Sequence, residues 1–325
     1  MIRYVLLKLG RALFVVWAAF TLTFVLLYVF PADPIDLLFD PAELKTVSQE
    51  TRDQVAALYG FDKPVALQYV DRLWHALQGD FGSSVQTGTP VVQAIVDVLP
   101  STLVLSAGAL VLAVGIAFAI ALAATLTRRP WLRNLVESIP PATVSVPVFL
   151  LGIVMIHVFS FTLGWFPSFG DGNGIGLVLP LVTLAIPVSG PIAQLLVRSF
   201  ETEAAAPYVT TSQAKGASRP WIIVKDVVRN ASLPAFTIAG ITFGNLIAGS
   251  VIIETIFSRG GLGRLTQTSI NTLDIPVVQG IVVFVAASFA AINLLVDFLY
   301  PVIDPRLRAS LATGPRPTAL AGAPA

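Results

Sequence analysis

Six long apolar stretches constrain this chain more than any other feature. A membrane-spanning helix needs about 20 mostly apolar residues, because each residue advances about 1.5 Å across roughly 30 Å of hydrocarbon. The stretches lie near residues 10–30, 100–126, 136–162, 177–198, 233–257 and 276–300. With 55% hydrophobic and only 12% charged residues, the composition excludes an ordinary soluble domain. The sequence therefore predicts an all-α polytopic membrane protein with six transmembrane helices.

The basic residues predict the orientation of these helices. A cytoplasmic N-terminus places 14 of the 20 Lys and Arg residues in inside segments, where basic loops are retained. Only Arg259 and Arg264 in short external loops oppose this arrangement. The first apolar run, residues 12–30, is longer than the roughly 7–15 residues of a signal peptide and lacks a small-residue cleavage site, so we interpret it as a retained span. Both termini are thus expected in the cytoplasm.

The external region between the first two spans, residues 31–99, is too long for a simple connector. We predict a small helical insertion: one short helix over 48–59, and a second that is capped by Asp62, has Pro64 in its first turn and ends at Gly79. Two roles remain open, a lid that packs on the external loops and a docking surface for an external partner. The apolar positions at helical spacing in the second helix are Val70, Leu73, Trp74 and Leu77.

Proline marks the third and fourth spans. A proline inside a helix removes a backbone donor and bends the helix, and the freed carbonyl must find a partner within the bundle. We expect both spans to be bent and buried, either as walls of a pathway or as irregular packing helices. Small residues in spans five and six suit close helix contact. The permease core is expected over 100–304, followed by a disordered tail over 305–325. The prolines are Pro140, Pro141 and Pro147, then Pro180, Pro187 and Pro191.

Several chemistries are excluded or disfavoured by what the sequence contains. No lysine closes a P-loop motif, so the chain does not bind ATP in that way. Its two histidines, His75 and His157, form no metal-binding motif. We expect His75 at the surface and His157 as a hydrogen-bond donor that faces the bundle. A functional role is the alternative for His157. The net charge of +1 gives no basis for nucleic-acid binding. Span centres almost free of charge disfavour an ion-coupled carrier.

Residues 206–234, within a cytoplasmic coupling segment predicted over 203–234, form the longest polar interruption in the second half of the chain. Pro207 suits the first turn of a short helix and Gly216 its end, while Ser218 is placed to cap a second helix. A short helix of this kind can insert into a groove on a soluble partner and pass rigid-body movement to the flanking spans. The alternative is an interfacial helix that lies on lipid headgroups.

This segment resembles the cytoplasmic EAA loop of ATP-binding-cassette (ABC) importer permeases of the dipeptide, oligopeptide and nickel group. Short motifs in the same order extend the resemblance along nearly the whole chain, and the long external insertion resembles the first of the two permease subunits. The motifs are PADP at 31–34, YGFDKP at 59–64, GDFGSS at 79–84, LPST at 99–102, GWFP at 164–167, AKG at 214–216, RNA at 229–231, LP at 233–234, ETIF at 254–257, GLGR at 261–264, PVVQG at 276–280 and DPR at 304–306.

The resemblance implies a non-catalytic transport subunit of the bacterial cytoplasmic membrane that imports oligopeptides or dipeptides by alternating access. Its implied partners are a second homologous permease subunit, two cytoplasmic ATPase subunits that hold ATP and magnesium, and an extracytoplasmic substrate-binding protein. This chain itself would bind no cofactor. Alternatives are an importer of nickel chelates or another small solute, an ion-coupled carrier and a purely structural membrane anchor.

The implied ATPase-coupling site departs from the family pattern at several positions. Acidic and arginine residues are usual where this chain has Ala206, Pro207, Thr210 and Gln213, and an aromatic-proline pair usually precedes Gly261, where Arg259 and Gly260 stand. The departure at Ala206, Pro207, Thr210 and Gln213 affects which contacts this segment makes with an ATPase, but not where on the chain the ATPase docks. The predicted coupling residues are Ala206, Pro207, Tyr208, Val209, Thr210, Thr211, Ser212, Gln213, Ala214, Lys215 and Gly216.

Overall fold

The computed structural model describes residues 2–30, 48–50, 63–169 and 174–303. Within these ranges the chain is helical, and the one β-type contact is an isolated bridge between Ser83 and Pro90. Most of the predicted helix over 48–59, the Asp62 cap and the predicted tail over 305–325 lie outside the described residues.

The described helices follow one another in this order. They are α1 Ile2–Phe24 with a π-helical turn Val25–Val29, α2 Val65–Leu77, α3 Val91–Leu126, α4 Pro130–Ser145, α5 Val148–Met155 with a π-helical segment Ile156–Thr162, a 3₁₀ turn Gly174–Leu177, α6 Val178–Ala204, α7 Pro207–Ala214, α8 Arg219–Ile222 with a π-helical turn Ile223–Val227, α9 Val228–Ala231, α10 Leu233–Ile256, α11 Leu262–Asn271 and α12 Ile275–Ile303.

The membrane spans agree with the six-span prediction. Five helices among the described residues are long and apolar enough to cross a membrane, and α4 with α5 forms a sixth span broken by a 99° bend. Helix α3 begins at Val91, ahead of the second span predicted near residues 100–126, and has Pro100 inside it. Nine residues assigned to the external insertion therefore extend this helix, which Pro90 precedes.

The break in the third span falls at Pro147. Its backbone is extended at φ −57° and ψ 132° immediately before α5 begins, because proline cannot continue the hydrogen-bonding of α4. The predicted bend is confirmed, but the prediction that this span is buried was wrong for this chain: Phe149, Leu150 and Ile153 are each about half exposed. The fourth span, α6, is buried against α3, α4 and α10.

Close helix contacts hold the bundle together. At Gly190 on α6, an added Cβ would lie 2.5 Å from the Thr143 hydroxyl oxygen, so the backbones of α4 and α6 approach closely there. At Gly240 on α10, it would lie 2.5 Å from a methyl of Val296 on α12. The predicted role of small residues in spans five and six is confirmed at this contact, where they let two spans pack closely.

The external helix α2 is present, and it packs on the outer end of α1. The Tyr69 hydroxyl lies 2.8 Å from the Thr21 hydroxyl oxygen, and its ring contacts Phe20 and Phe24. Gly79 follows the helix with a positive φ of 81°, as expected of a glycine beyond a helix end. Of the apolar positions that the spacing indicated, Leu73 packs inward, while Val70, Trp74 and Leu77 are exposed.

Candidate functional site

The polar segment that follows α6 folds as two short helices. Helix α7 begins with Pro207 in its first turn and ends at Ala214, and the reversal after it uses Gly216 at φ +84°. A positive φ of this size is costly for a residue with a side chain, which explains a glycine here. Ser218 occupies the N-cap position of α8, as predicted, but its side chain makes no capping hydrogen bond.

One apolar residue anchors α7 to the membrane spans. Val209 is 7% exposed and belongs to a buried cluster that joins the inner halves of α3 and α6 to the segments that follow α7. Burial of a valine side chain contributes about 1.5–3 kcal/mol, so α7 is fixed to the bundle. The buried cluster consists of Ala117, Ile120, Ala121, Ala124, Ile192, Ala193, Leu196, Val197, Phe200, Val209, Ile222, Val227, Ala231 and Ala235.

Acidic side chains from neighbouring elements hold the uncharged α7 by hydrogen bonds. The Tyr208 hydroxyl donates to a carboxylate oxygen of Glu203 on α6 at 2.9 Å, and the Ser212 hydroxyl donates to Asp226 at 3.2 Å. Partial burial, reinforced by the hydrogen bond to Glu203, raises the pKa of Tyr208 above its ordinary value. The phenol therefore stays protonated and remains a donor at neutral pH.

An arginine connects the segment to the inner end of α3. The Arg219 guanidinium donates to the backbone carbonyl of Thr125 at 3.1 Å. This carbonyl belongs to the last turn of α3, where carbonyl groups lack helical partners and the helix dipole favours a cation. This hydrogen bond joins α8 directly to the end of a long membrane span.

The remaining surface of α7 is open. Of the eleven predicted coupling residues, Val209 is buried, and Ala206, Tyr208 and Ser212 are half-buried. This exposed surface carries a single charge, that of Lys215, and hydroxyl, amide and small side chains cover the rest. Such a surface can enter a groove on a partner without desolvating several charges. The exposed residues are Pro207, Thr210, Thr211, Gln213, Ala214, Lys215 and Gly216.

The opposite end of the bundle contains a buried polar cluster that the sequence analysis missed. Glu254, near the end of α10, is 0% exposed, and its carboxyl oxygens accept hydrogen bonds from the Thr102 hydroxyl at 2.7 Å and the Gly263 amide at 2.6 Å. Thr102 in turn accepts a hydrogen bond from the Leu262 amide at 2.9 Å. These contacts fix the start of α11 to both α3 and α10. The motifs LPST and GLGR were recognised in the sequence, but nothing in their spacing shows that they meet.

Glycine is required where this carboxyl group meets the turn. A Cβ on Gly261 would lie 2.3 Å from the carboxyl carbon of Glu254, and a Cβ on Gly263 would lie 2.3 Å from the Cα of Val251. Both distances are far below van der Waals contact, so any larger residue must displace the turn or the span. We refer to Thr102, Glu254, Gly261, Leu262 and Gly263 as the outer clamp.

A second tether lies on the same outer side. Asp274, which is 3% exposed, accepts a hydrogen bond from the Ser84 hydroxyl and another from the Val85 amide at 3.2 Å. Leu273, just before it, has a positive φ of 54°. The loop after α2 is thus held to the turn between α11 and α12.

An apolar groove of about 420 Å³ runs beside the outer clamp, between α5, α10 and α11. Most of its wall is hydrocarbon, and the polar side chains in its lining are Thr255 on α10 and Thr266, Gln267 and Asn271 on α11. The prediction that His157 faces the bundle was wrong, since its side chain is exposed on the broken third span. The groove is lined by Phe149, Ile153, Val251, Ile252, Thr255, Ile256, Thr266, Gln267, Ile270 and Asn271.

Six apolar spans, a helix packed on their inner ends and a clamped outer turn define a polytopic helical membrane protein. No group of three or more metal-binding side chains occurs in the parts of the chain that the structure describes. Residues 115–309 match the family described as binding-protein-dependent transport system inner membrane component, and residues 1–106 match its N-terminal counterpart. The chain belongs to this family of ABC importer permeases, which are multi-pass proteins of the bacterial inner membrane.

Curated relatives match almost end to end. The chain is 34% identical over 308 residues to the glutathione transport system permease protein GsiC of Salmonella typhimurium strain LT2, covering 95% of this chain and 99% of that protein. The protein of the same name from Escherichia coli strain K12 matches with the same identity and coverage. This likeness supports the resemblance to the peptide-type permeases.

Solved structures share the fold of the core. An inward-facing structure of the MetNI methionine ABC transporter aligns with a TM-score of 0.50 and 19% identity over 66% of this chain and 97% of that chain. A second crystal form of the same transporter aligns with a TM-score of 0.50 and 20% identity, over 64% of this chain and 95% of that chain. The shared part is therefore the fold of the permease core.

Proposed function

We propose that this permease subunit imports oligopeptides or dipeptides by alternating access, in a complex with a second homologous permease subunit and two cytoplasmic ATPase subunits. An extracytoplasmic substrate-binding protein delivers the peptide. The ATPases hold ATP and magnesium, while this chain binds no cofactor and catalyses no reaction. Support for a peptide-type substrate comes from the relatives whose name specifies glutathione transport, since glutathione is itself a small peptide.

The packing of α7 is the observation that supports its proposed role in coupling the spans to the ATPases. One face is held to α3 and α6 by Val209 and the surrounding cluster, and the other face is exposed. A helix fixed on one side and open on the other can dock in a partner groove and move as a rigid unit with the spans. Residues 206–216 are the proposed ATPase-coupling site.

Contacts at both ends of α3 suggest how movement of α7 reaches the external end of the bundle. Arg219 holds the inner end of α3 through the carbonyl of Thr125, and Thr102 holds α3 to the outer clamp. Displacement of the coupling site therefore acts on a helix whose outer part is bonded to the start of α11. The apolar groove between α5, α10 and α11 lies next to this point and is the proposed start of the pathway face.

Docking is tested with a substitution that fills the exposed face without disturbing the anchored one. Ala214 is exposed, so Ala214→Arg adds bulk and charge to the coupling site and leaves the buried cluster intact. We expect loss of ATPase co-purification and of ATP-driven peptide uptake in the reconstituted complex. The matched control is Ala66→Arg on α2, which changes another exposed alanine at the opposite end of the bundle and should retain the ATPases.

Two outcomes would contradict the coupling role. One is normal ATPase retention and uptake by the Ala214→Arg complex. The other is full ATP-coupled uptake after residues 208–216 are replaced by a flexible Gly/Ser sequence of equal length. The substrate is tested separately by uptake of di-, tri- and pentapeptides against a nickel chelate. Transport of the chelate alone would refute the peptide assignment while leaving the coupling role intact.

A further inference from the structure

A groove of about 290 Å³ lies between α1 and α12 at the end of the bundle that the basic residues place in the cytoplasm. Charged and amide groups lie at its inner part, and apolar side chains continue from there toward the middle of the membrane. The lining residues are Lys8, Arg11, Ala12, Val15, Phe289, Ala290, Asn293, Leu294 and Asp297.

The charges in this groove do not balance. The Lys8 ammonium lies 2.6 Å from a carboxylate oxygen of Asp297, so these two charges offset each other across α1 and α12. Arg11, one turn further along α1, is exposed and makes no ion pair or hydrogen bond with the described part of the chain. Among the described residues that line the groove, one positive charge is therefore in excess, beside an ion pair whose members remain 26% and 32% exposed.

The groove lies at the surface of this chain, beside apolar side chains that suit contact with lipid. Helix α1 packs against α12, and on its other side Leu13 and Phe14 are 70% and 62% exposed. Arg11 directly precedes the long apolar run of residues 12–30, which places its guanidinium at the headgroup level of the inner leaflet. The apolar wall formed by Val15 and Phe289 begins at that level and runs into the hydrocarbon.

We propose that this groove binds one anionic phospholipid of the inner leaflet. The headgroup phosphodiester accepts hydrogen bonds from Arg11 and lies beside the Lys8–Asp297 pair, because a guanidinium donates well to phosphate oxygens. One acyl chain lies along the wall of Val15 and Phe289. Basic pockets between membrane helices on the cytoplasmic side suit such headgroups, and the bound lipid joins α1 to α12.

The test uses the full-length permease complex in nanodiscs, with lipid retention measured by native mass spectrometry. The probes are phosphatidylglycerol and phosphatidylcholine with identical acyl chains, and inorganic phosphate as a competitor without chains. We expect Arg11→Gln to reduce phosphatidylglycerol affinity about fivefold, the loss expected for one basic group near an anionic surface. Phosphatidylcholine binding should not change. Arg128→Gln is the control, since Arg128 is also exposed on the predicted inner side but lies outside the groove.

A second variant separates lipid binding from a purely structural role. Asp297→Asn removes the groove's negative charge, so phosphatidylglycerol affinity should rise by about fivefold even though the ion pair between α1 and α12 is lost. If the groove merely packs two helices, both variants would weaken retention or leave it unchanged. The proposal is overturned by equal retention of the two lipids, by full displacement with inorganic phosphate, or by crosslinks showing that the second permease subunit covers Arg11.

Discussion

Thr102→Val tests the outer clamp with little change in side-chain shape. In the native chain the Thr102 hydroxyl donates to Glu254 and accepts from the Leu262 amide, and both Thr102 and Glu254 are 0% exposed. Valine fills nearly the same volume, so no cavity forms. The substitution removes a donor and an acceptor together, leaving one carboxyl oxygen of Glu254 and one backbone amide without their partner.

The expected magnitude follows from these two buried groups. Each buried polar group that loses its partner costs about 1–3 kcal/mol, so the free energy of unfolding should fall by about 2–6 kcal/mol. Equilibrium unfolding of the purified chain in mixed micelles with increasing denaturing detergent measures this quantity. Hydrogen exchange adds a local measurement, because the Leu262 and Gly263 amides should exchange faster while the amides in the centre of α6 keep their protection.

Two controls make this result specific. Thr183 is also 0% exposed, but its hydroxyl bonds only the Leu179 carbonyl within its own helix; Thr183→Val should therefore cost less than about 1 kcal/mol. Thr102→Ser keeps the hydroxyl and should recover most of the lost stability. Equal losses for Thr102→Val and Thr183→Val, with unchanged exchange at Leu262, would refute the clamp.

Three further predictions concern other contacts. Gly190→Ala forces a Cβ against α4 and should lower the free energy of unfolding by about 1–3 kcal/mol. Gly115→Ala, whose Cβ would meet no described neighbouring element within 4 Å, should leave the free energy of unfolding unchanged or raise it by up to about 1 kcal/mol. Thermal unfolding in detergent compares the two variants. Asp274→Ala removes the acceptor of Ser84, so limited proteolysis should cut the loop after α2 faster, and unchanged cutting would contradict the tether. The pKa of Tyr208 is raised above its ordinary value of 10.0, so its hydrogen bond should stabilise the fold fully below pH 10. This contribution to the free energy of unfolding should disappear as pH rises through the folded-state pKa. Ultraviolet titration of the native chain against Tyr208→Phe measures that pKa.

The sequence predicted the spans and the short helices well because local signals determine them. Apolar length located the six spans, and Pro207 and Gly216 marked the two ends of α7. The proline-rich third span was predicted to bend, yet its exposure could not be read from the sequence, because proline content does not show which side a helix turns toward its neighbours. The apolar stretch near residues 100–126 did not show that α3 begins at Val91, because a helix can extend beyond the apolar run that crosses the membrane.

The outer clamp could not be predicted because its members are distant in sequence. Thr102 and Glu254 are separated by 152 positions, and each belongs to a motif that is weak on its own. A glutamate near a span end suggests a group exposed to headgroups, whereas here two hydrogen bonds compensate for its complete burial. Only the packing of α3 against α10 shows that the carboxyl group has partners.

The position of α3 explains how an uncharged α7 could still be coupled to the outer side. Helix α3 has 36 residues and is about 54 Å long at 1.5 Å per residue, so it extends beyond the hydrocarbon. Its inner end is bonded to Arg219, and Thr102 on its outer part is bonded to Glu254. Helix α7 itself contains no acid, and Glu203 and Asp226 on adjacent elements accept hydrogen bonds from its Tyr208 and Ser212 side chains. Acidic side chains in this segment therefore fix α7 to its neighbours. Under the proposed coupling role, the exposed face, whose one charge is that of Lys215, docks mainly by shape complementarity.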